Sequence, residues 1–370
     1  MSDRAVMPES SAGSVALGAV PASQADAEAW DEFLAQHPEG RFCQAWGFRR
    51  VLEQTYGYRC VYLKLLRGQQ LVGIFPSIIA SRPVRRLVSQ PFNEYGGPLV
   101  GGLLAGEYDQ LAQLLFRIAR EHGCSTLEIR GGVGLEALSE SQCCVRHPLH
   151  SFAVLALAEK EHMWRKGITN EARKGVNKAR NAGLIAEVRR AEAAVADPFY
   201  GLYLISMKRL GVPPHSRRFF EELAAGFGRD LVAAWVMQGS ETAAILLGVV
   251  TGHRLQIYIT ASAPQFWSSR PNDLAHWELI SWAAQNGLRL FDFGSARYAG
   301  QIQFKKKWGV ALYDYSYYLV GAPGSPATTR IQSVETDSRL MQGMAKIWSV
   351  AVPLRLTSWL GPPIRKQLTK

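Results

Sequence analysis

Metal and nucleophile signatures are scarce in this chain of 370 residues. Its eight histidines lie far apart, and neither HExxH nor CxxC occurs, which sets aside the usual zinc arrangements. There is no GxSxG elbow and no Walker lysine loop. Five cysteines, Cys43, Cys60, Cys124, Cys143 and Cys144, are scattered, and the odd number leaves at least one unpaired, as suits a reducing compartment. No apolar run approaches the roughly 18 residues of a spanning helix. The longest, Ala243 to Val250, reads as a buried strand. At the amino terminus Asp3 and Glu9 flank Arg4 and small residues fill Ala12 to Val20, which is not the pattern of a signal peptide. These absences predict a cytoplasmic protein, soluble or peripheral at the inner face of the membrane.

Acidic residues are also in short supply, 31 against 42 Lys plus Arg, for a net charge of +11. Hydrophobic residues at 47% and charged residues at 20% allow a packed core and rule out disordered and fibrous classes. The excess charge is clustered. Arg339, Lys346, Arg355, Arg365, Lys366 and Lys370 occupy the tail with no acid among them. Arg165, Lys166, Arg173, Lys174, Lys178 and Arg180 form a second cluster opposed only by Glu171, and Lys305 to Lys307 a third. Each reads as a phosphate-attracting patch or as a solvated helix face.

The element pattern runs twice. Residues 1–22 are expected to be a disordered leader. Residues 23–157 carry helices Ser23 to His37 and Gln44 to Tyr56, strands Tyr58 to Leu66 and Leu71 to Ala80, a helix around Glu107 to His122 and strand Ser125 to Arg130. Residues 158–320 begin again with helices near Glu159 to Arg165, Asn170 to Ala182, Pro198 to Leu210 and Arg217 to Phe227, with strand Ile185 to Arg190 among them. Strands Leu231 to Gln238, Ala243 to Thr251 and Arg254 to Thr260 follow, then helix Asn272 to Asn286 and strands Leu288 to Phe293 and Leu312 to Val320. Helices, a strand meander, a helix and two strands give the element order of a GNAT acyltransferase. The predicted fold is therefore α/β (α+β), with two tandem GNAT-like domains on mixed central sheets. In 321–370 a linker precedes a helix whose stripe Leu340, Met344, Ile347, Trp348 and Ala351 either packs on the body or rests on an anionic membrane.

Three segments carry chemistry. Pro91 to Pro98 makes a sharp Gly-Gly-Pro turn that presents Asn93 and Tyr95. Asp292 in Phe291-Asp292-Phe293-Gly294 shares a strand face with Leu288 and Leu290. Its carboxylate is then a proton acceptor with a raised pKa, unless it caps a turn or a cation such as Arg297 pairs with it. In Gly300 to Gly309 a helix sets Phe304 and Trp308 four apart and leaves Lys305 free to reach a substrate. A coenzyme A pyrophosphate loop is not evident.

Taken with Asn170 to Leu184 and Pro271 to Trp277, these segments resemble the FemAB family of tandem GNAT-fold transferases, in particular the branch associated with exopolysaccharide and exosortase clusters. The resemblance implies transfer of an acyl group to an amine, with acetyl-CoA or another acyl-CoA as donor and no metal. A lipid-linked glycan or peptide precursor of the envelope is the implied acceptor. It implies that Lys305 matches the lysine the Fem enzymes link to catalysis, here an oxyanion stabiliser, with Asp292 as orienter or base. Arg173, Lys174 and Lys178 become donor phosphate contacts, and Asn93, Tyr95, Trp277 and Arg297 substrate contacts. No insertion fits the coiled-coil arm of tRNA-dependent Fem enzymes, so aminoacyl-tRNA is an alternative donor, and a non-catalytic basic scaffold a second alternative.

Overall fold

The computed structural model describes residues 16–81, 84–322, 324 and 339–368. Among them thirteen strands join one sheet in the order β1-β2-β3-β4-β6-β13-β7-β12-β11-β10-β9-β8, with β5 on β3. In the first half lie β1 (Leu17–Pro21), β2 (Cys60–Arg67), β3 (Gln70–Ala80), β4 (Arg86–Ser89), β5 (Leu99–Val100) and β6 (Thr126–Arg130). The second half holds β8 (Ile185–Arg190), β9 (Leu231–Gln238), β10 (Glu241–Thr251), β11 (Arg254–Ser262) and β12 (Leu290–Ala296).

Each half is an antiparallel meander that ends in a parallel pair. β4 runs parallel to β6 across α3 (Ala105–Glu121), and β11 parallel to β12 across α8 (Pro271–Gln285). The long strands β7 (Cys144–Ala156) and β13 (Ala311–Val320) fuse the halves. They pair with each other antiparallel from Cys144↔Val320 to Val154↔Ala311. Each also reaches into the opposite half, β13 onto β6 and β7 onto β12. The sequence boundary at 157/158 thus falls after a strand whose hydrogen bonds belong to both halves.

Helices α1 (Ala27–Gln36) and α2 (Trp46–Tyr56) begin the chain's helical cover, and α4 (Lys160–His162) runs into a π turn at Met163–Gly167. They are followed by α5 (Asn170–Asn181), α6 (Phe199–Arg209), α7 (Arg217–Phe227) and α9 (Ala299–Lys306). Thr169 caps α5 by accepting from the Ala172 amide, and Ser216 caps α7 by accepting from Phe219. Fully buried Phe199, Phe219, Leu223, Trp235, Leu246 and Trp308 fill the main core. Burial of each such side chain is worth about 1.5–3 kcal/mol. α2 crosses α7 where Gly47 meets Gly226, and a Cβ on Gly47 would lie 2.6 Å from the Gly226 carbonyl oxygen.

The leader expectation fails from Leu17 onward. Leu17 to Pro21 pair with Leu63 to Arg67, because β2 would otherwise present an open sheet edge. Residues 1–15 lie outside the described residues, as does most of the linker expected at 321–329. The tail forms α10 (Arg339–Ala351) and α11 (Leu354–Leu368), and it packs on the body. Lys208 donates to the Ser349 carbonyl at 3.0 Å, and Tyr58 to that of Lys366 at 2.5 Å. On the far side Met344, Ile347, Val350, Leu356 and Trp359 remain exposed.

Candidate active site

The cavity follows from the sheet. β11 and β12 are hydrogen-bonded only over Arg254–Gln256 and Leu290–Asp292, and both strands continue beyond that point unpaired with each other. Between the diverging ends lies a cavity of about 520 Å³. Its walls are Gln256 to Thr260 of β11, Phe293 to Ser295 of β12 and the loop Phe92 to Tyr95 from the other half. Asn272 and His276 of α8, Phe304 and Lys305 of α9, Arg209 and Arg365 complete it. A second cavity of about 270 Å³ shares Arg209, Asn272 and Phe304 and extends along Pro271 and Asp273 at the α8 N-terminus to Arg270. Arg270, just before Pro271, is held at φ +59°. Left-handed backbone at a non-glycine residue costs about 1–3 kcal/mol and clusters at functional sites.

A register shift between Asp292 and Ser295 lifts the β12 backbone off β7 at Gly294, where φ is +75°. Lys305 fills the gap. Its Nζ donates to the carbonyls of Phe293, Gly294 and Ser295 at 2.8, 3.0 and 2.5 Å, which commits all three ammonium hydrogens. Burial lowers the Lys305 pKa to about 8, against the opposing pull of Asp292 and Glu94. The side chain is therefore a cation at neutral pH and acts through its charge, with its hydrogens tied to the bulge.

Asp292 is fully buried. It accepts from the Tyr95 hydroxyl at 2.7 Å, the Gly294 amide at 2.9 Å and Arg254 Nη1 at 3.2 Å, with Arg41 Nε at 3.5 Å. Asp292 lines neither cavity and its oxygens are taken by Tyr95, Gly294 and Arg254, so it is placed to orient and not to reach a substrate amine. Its cations are Arg41 and Arg254, while Arg297 pairs with Glu94. Through Tyr95, Asp292 anchors the loop that carries Asn93. That loop holds Gln90 and Phe92 at φ +50° and +67°, fixed by Arg130 Nη1 donating to the carbonyls of Gln90 and Asn93.

The structure brings Asn93, Tyr95 and Lys305 to one cavity and leaves other expected residues out of it. Trp277 is buried against Trp164, their rings 4.7 Å apart, because α8 is apolar nearly all round and that turn faces the core. The Arg173 guanidinium donates to the carbonyls of Trp164, Arg165 and Ile168 and so closes the π turn. Lys174 and Lys178 are exposed on α5 and line neither cavity. Of the lysine triplet, Lys307 is buried in an ion pair with Asp273 at 2.6 Å.

Three cavity residues had gone unnoticed in the sequence. Glu94 is the one carboxylate among the described residues lining the larger cavity. It accepts from Tyr315 at 2.8 Å beside its Arg297 pair. His276 Nδ1 lies 2.7 Å from the Asn272 carbonyl, so Nδ1 carries the proton and Nε2 offers a lone pair. Burial pushes the His276 pKa down to about 3, and the ring is neutral. Arg365 comes from the tail. The only signals for them were an acid in a turn, an i,i+4 Asn-His pair and a basic tail. Among the described residues no group of three or more His, Cys, Asp or Glu could hold a metal.

A mixed sheet splayed at a parallel pair, with a cavity in the splay and a helix N-terminus at its mouth, is the arrangement of an acyl-transfer domain. Residues 166–306 match the acetyltransferase (GNAT) domain model, so the second half of the chain carries a GNAT domain. The fold is shared with FemX, at TM-score 0.64 and 14% identity over 81% of this chain and 96% of that one. A tandem GNAT protein from the clavulanic acid biosynthesis pathway aligns at 0.53 and 14%, over 84% and 99%. L-PGS from Bacillus licheniformis aligns at 0.50 and 13%, over 81% and 97%. These likenesses establish a tandem GNAT fold. No curated protein matches the sequence.

Proposed function

We propose that the protein is an N-acyltransferase that moves an acyl group, acetyl from acetyl-CoA in the first instance, to an amine of an envelope or exopolysaccharide precursor. The observation that carries this reading is that the two cavities adjoin, sharing Arg209, Asn272 and Phe304 in their walls. The smaller opens on the N-terminus of α8, where the helix dipole, Arg270 and Arg209 suit the donor's phosphates. The larger, between β11 and β12, suits the thioester and the acceptor amine.

Glu94 draws the amine in and takes its proton as the C–N bond forms and the C–S bond breaks. His276 Nε2 accepts from the same amine and orients its lone pair. The charge of Lys305 favours the negative oxygen that develops on the carbonyl. Exposed apolar residues of the tail beside Lys346 and Arg355 support peripheral contact with an anionic membrane on the cytoplasmic side. No helix among the described residues is long and apolar enough to cross one.

Thiol release from acetyl-CoA with a panel of amino sugars and amino-terminal peptides tests the proposal. Acceptor-dependent release that Glu94→Gln lowers by two orders of magnitude or more is expected, and release that is independent of acceptor and of Glu94 would end it. A second reading takes aminoacyl-tRNA as donor and is favoured by the exposed Lys174 and Lys178 outside the cavities. Its mark is affinity for charged tRNA that falls steeply with salt.

A further inference from the structure

Arg365 is held in the larger cavity by side-chain and backbone acceptors on the segment that follows α6. Its Nε donates to His215 Nε2 at 2.9 Å and its Nη1 to the Pro213 carbonyl at 2.9 Å. The guanidinium stands 5.7 Å from the centre of the Phe92 ring. Arginine offers no lone pair, so His215 Nε2 is the acceptor and the imidazole proton sits on Nδ1. Nδ1 then donates to the Tyr56 oxygen at 2.5 Å, and the Tyr258 hydroxyl lies 3.1 Å from Nε2. Burial and the neighbouring guanidinium keep the His215 pKa well below its usual 6.5, so a neutral ring supports the cation.

The remaining nitrogen, Nη2, has no partner among the described residues. Nor does any described carboxylate lie within ion-pairing distance of Arg365. The contrast with the other inward-facing arginines is plain. Arg41 and Arg254 pair with Asp292, and Arg130 with Glu128. Arg365 also lines the larger cavity and not the smaller, which separates it from the donor's phosphates at the α8 N-terminus.

We propose that Arg365 is the contact for an anionic group, a phosphate or carboxylate, on the acceptor, and that the carboxy-terminal helix is thereby part of the acceptor site. This rests on the acyl-transfer reading of the cavities. A guanidinium with a free edge suits an oxyanion. His215 and Tyr56 are positioning residues that set the direction of that edge.

The test titrates inorganic pyrophosphate calorimetrically into the full chain saturated with coenzyme A, using wild type, Arg365→Gln, Arg365→Lys and Arg270→Ala. Succinate titrated in parallel distinguishes a carboxylate acceptor from a phosphorylated one. At least a tenfold weakening of the tighter-binding anion in Arg365→Gln, with coenzyme A affinity held within twofold, is expected. Arg270→Ala should show the reverse. Arg365→Lys keeps the charge that docks the tail and should fall between, which keeps the test open if the Gln variant unfolds. Equal anion affinity in wild type and both Arg365 variants would overturn the inference, as would competition between pyrophosphate and coenzyme A. If coenzyme A itself fails to bind while pyrophosphate still depends on Arg365, the donor reading falls and the anion contact stands.

Discussion

Replacing Asp292 with alanine removes the more deeply buried of the two carboxylates, Asp292 and Glu39, that Arg41 and Arg254 share; the arginine side chains are 1% and 5% exposed. Taking away one partner of a buried ion pair costs about 3–5 kcal/mol when the other charge is left alone, and the Glu39 pairs that remain make this the upper end here. Each kcal/mol lowers the unfolding midpoint of a body of this size by about 1–2 °C, so a fall of up to about 3–10 °C is expected. Asp292→Asn keeps the volume and an acceptor for Tyr95 and Gly294 and should lose less. Adding Arg254→Met to Asp292→Ala should return part of the loss, and that coupling can be read from a double-mutant cycle. Calorimetric melting gives the midpoints, and acetyl-CoA consumption well below them gives the activity. If Asp292→Asn melts like wild type while turnover collapses a thousandfold, the carboxylate is a proton acceptor and the buried ion-pair account is wrong.

The Lys305 pKa is lowered from 10.5 to about 8, so its ammonium is present at pH 7 and lost by pH 9, releasing the bulge carbonyls. Activity should decline above about pH 8, and Lys305→Arg should move that limb to higher pH; an unmoved limb removes Lys305 from it. Neutral His276 has its pKa depressed from 6.5 to about 3, so the unfolded chain binds a proton there that the fold refuses. Stability should therefore drop as pH falls from 6.5 toward 3, and His276→Phe should flatten the drop in midpoint-against-pH curves. Gly47→Ala pushes a methyl against the Gly226 carbonyl and should cost about 1–3 kcal/mol in a denaturant titration. Phosphatidylglycerol vesicles should sediment the wild type at low salt, and Trp359→Ser with Ile347→Ser should leave it in the supernatant.

Elements with a local cause were legible. α5 is announced by Thr169 at its cap, and α8 by Pro271 in its first turn. β7 was not, because Cys144 to Ala156 carries Pro148 and several polar residues and becomes a strand through pairing with β13 and β12. The exchange that welds two halves into one sheet is likewise a matter of distant pairing. In the site, the Pro91 to Pro98 turn and Lys305 could be read from the chain. Asp292 could be read only as lying in an apolar layer or at the strand terminus, whereas the fold buries it among Tyr95, Arg41 and Arg254, residues with no sequence proximity to β12. Arg173, Lys174 and Lys178 show the limit of charge counting, since a dense basic helix does not say which way it faces. Arg365 was counted only as tail charge, because nothing local directs α11 to a cavity built by β11 and β12.

The central claim, that the adjoining cavities hold an acyl-CoA along the α8 N-terminus, is tested most directly by melting the protein against increasing acetyl-CoA. Binding at about a hundredfold excess over Kd stabilises by about 2.7 kcal/mol. At about 1–2 °C per kcal/mol this is a rise of about 3–5 °C. The account predicts a saturable rise of that size in the wild type, diminished by Arg270→Ala and by Arg209→Ala. No rise, or an equal rise in both variants, would contradict it.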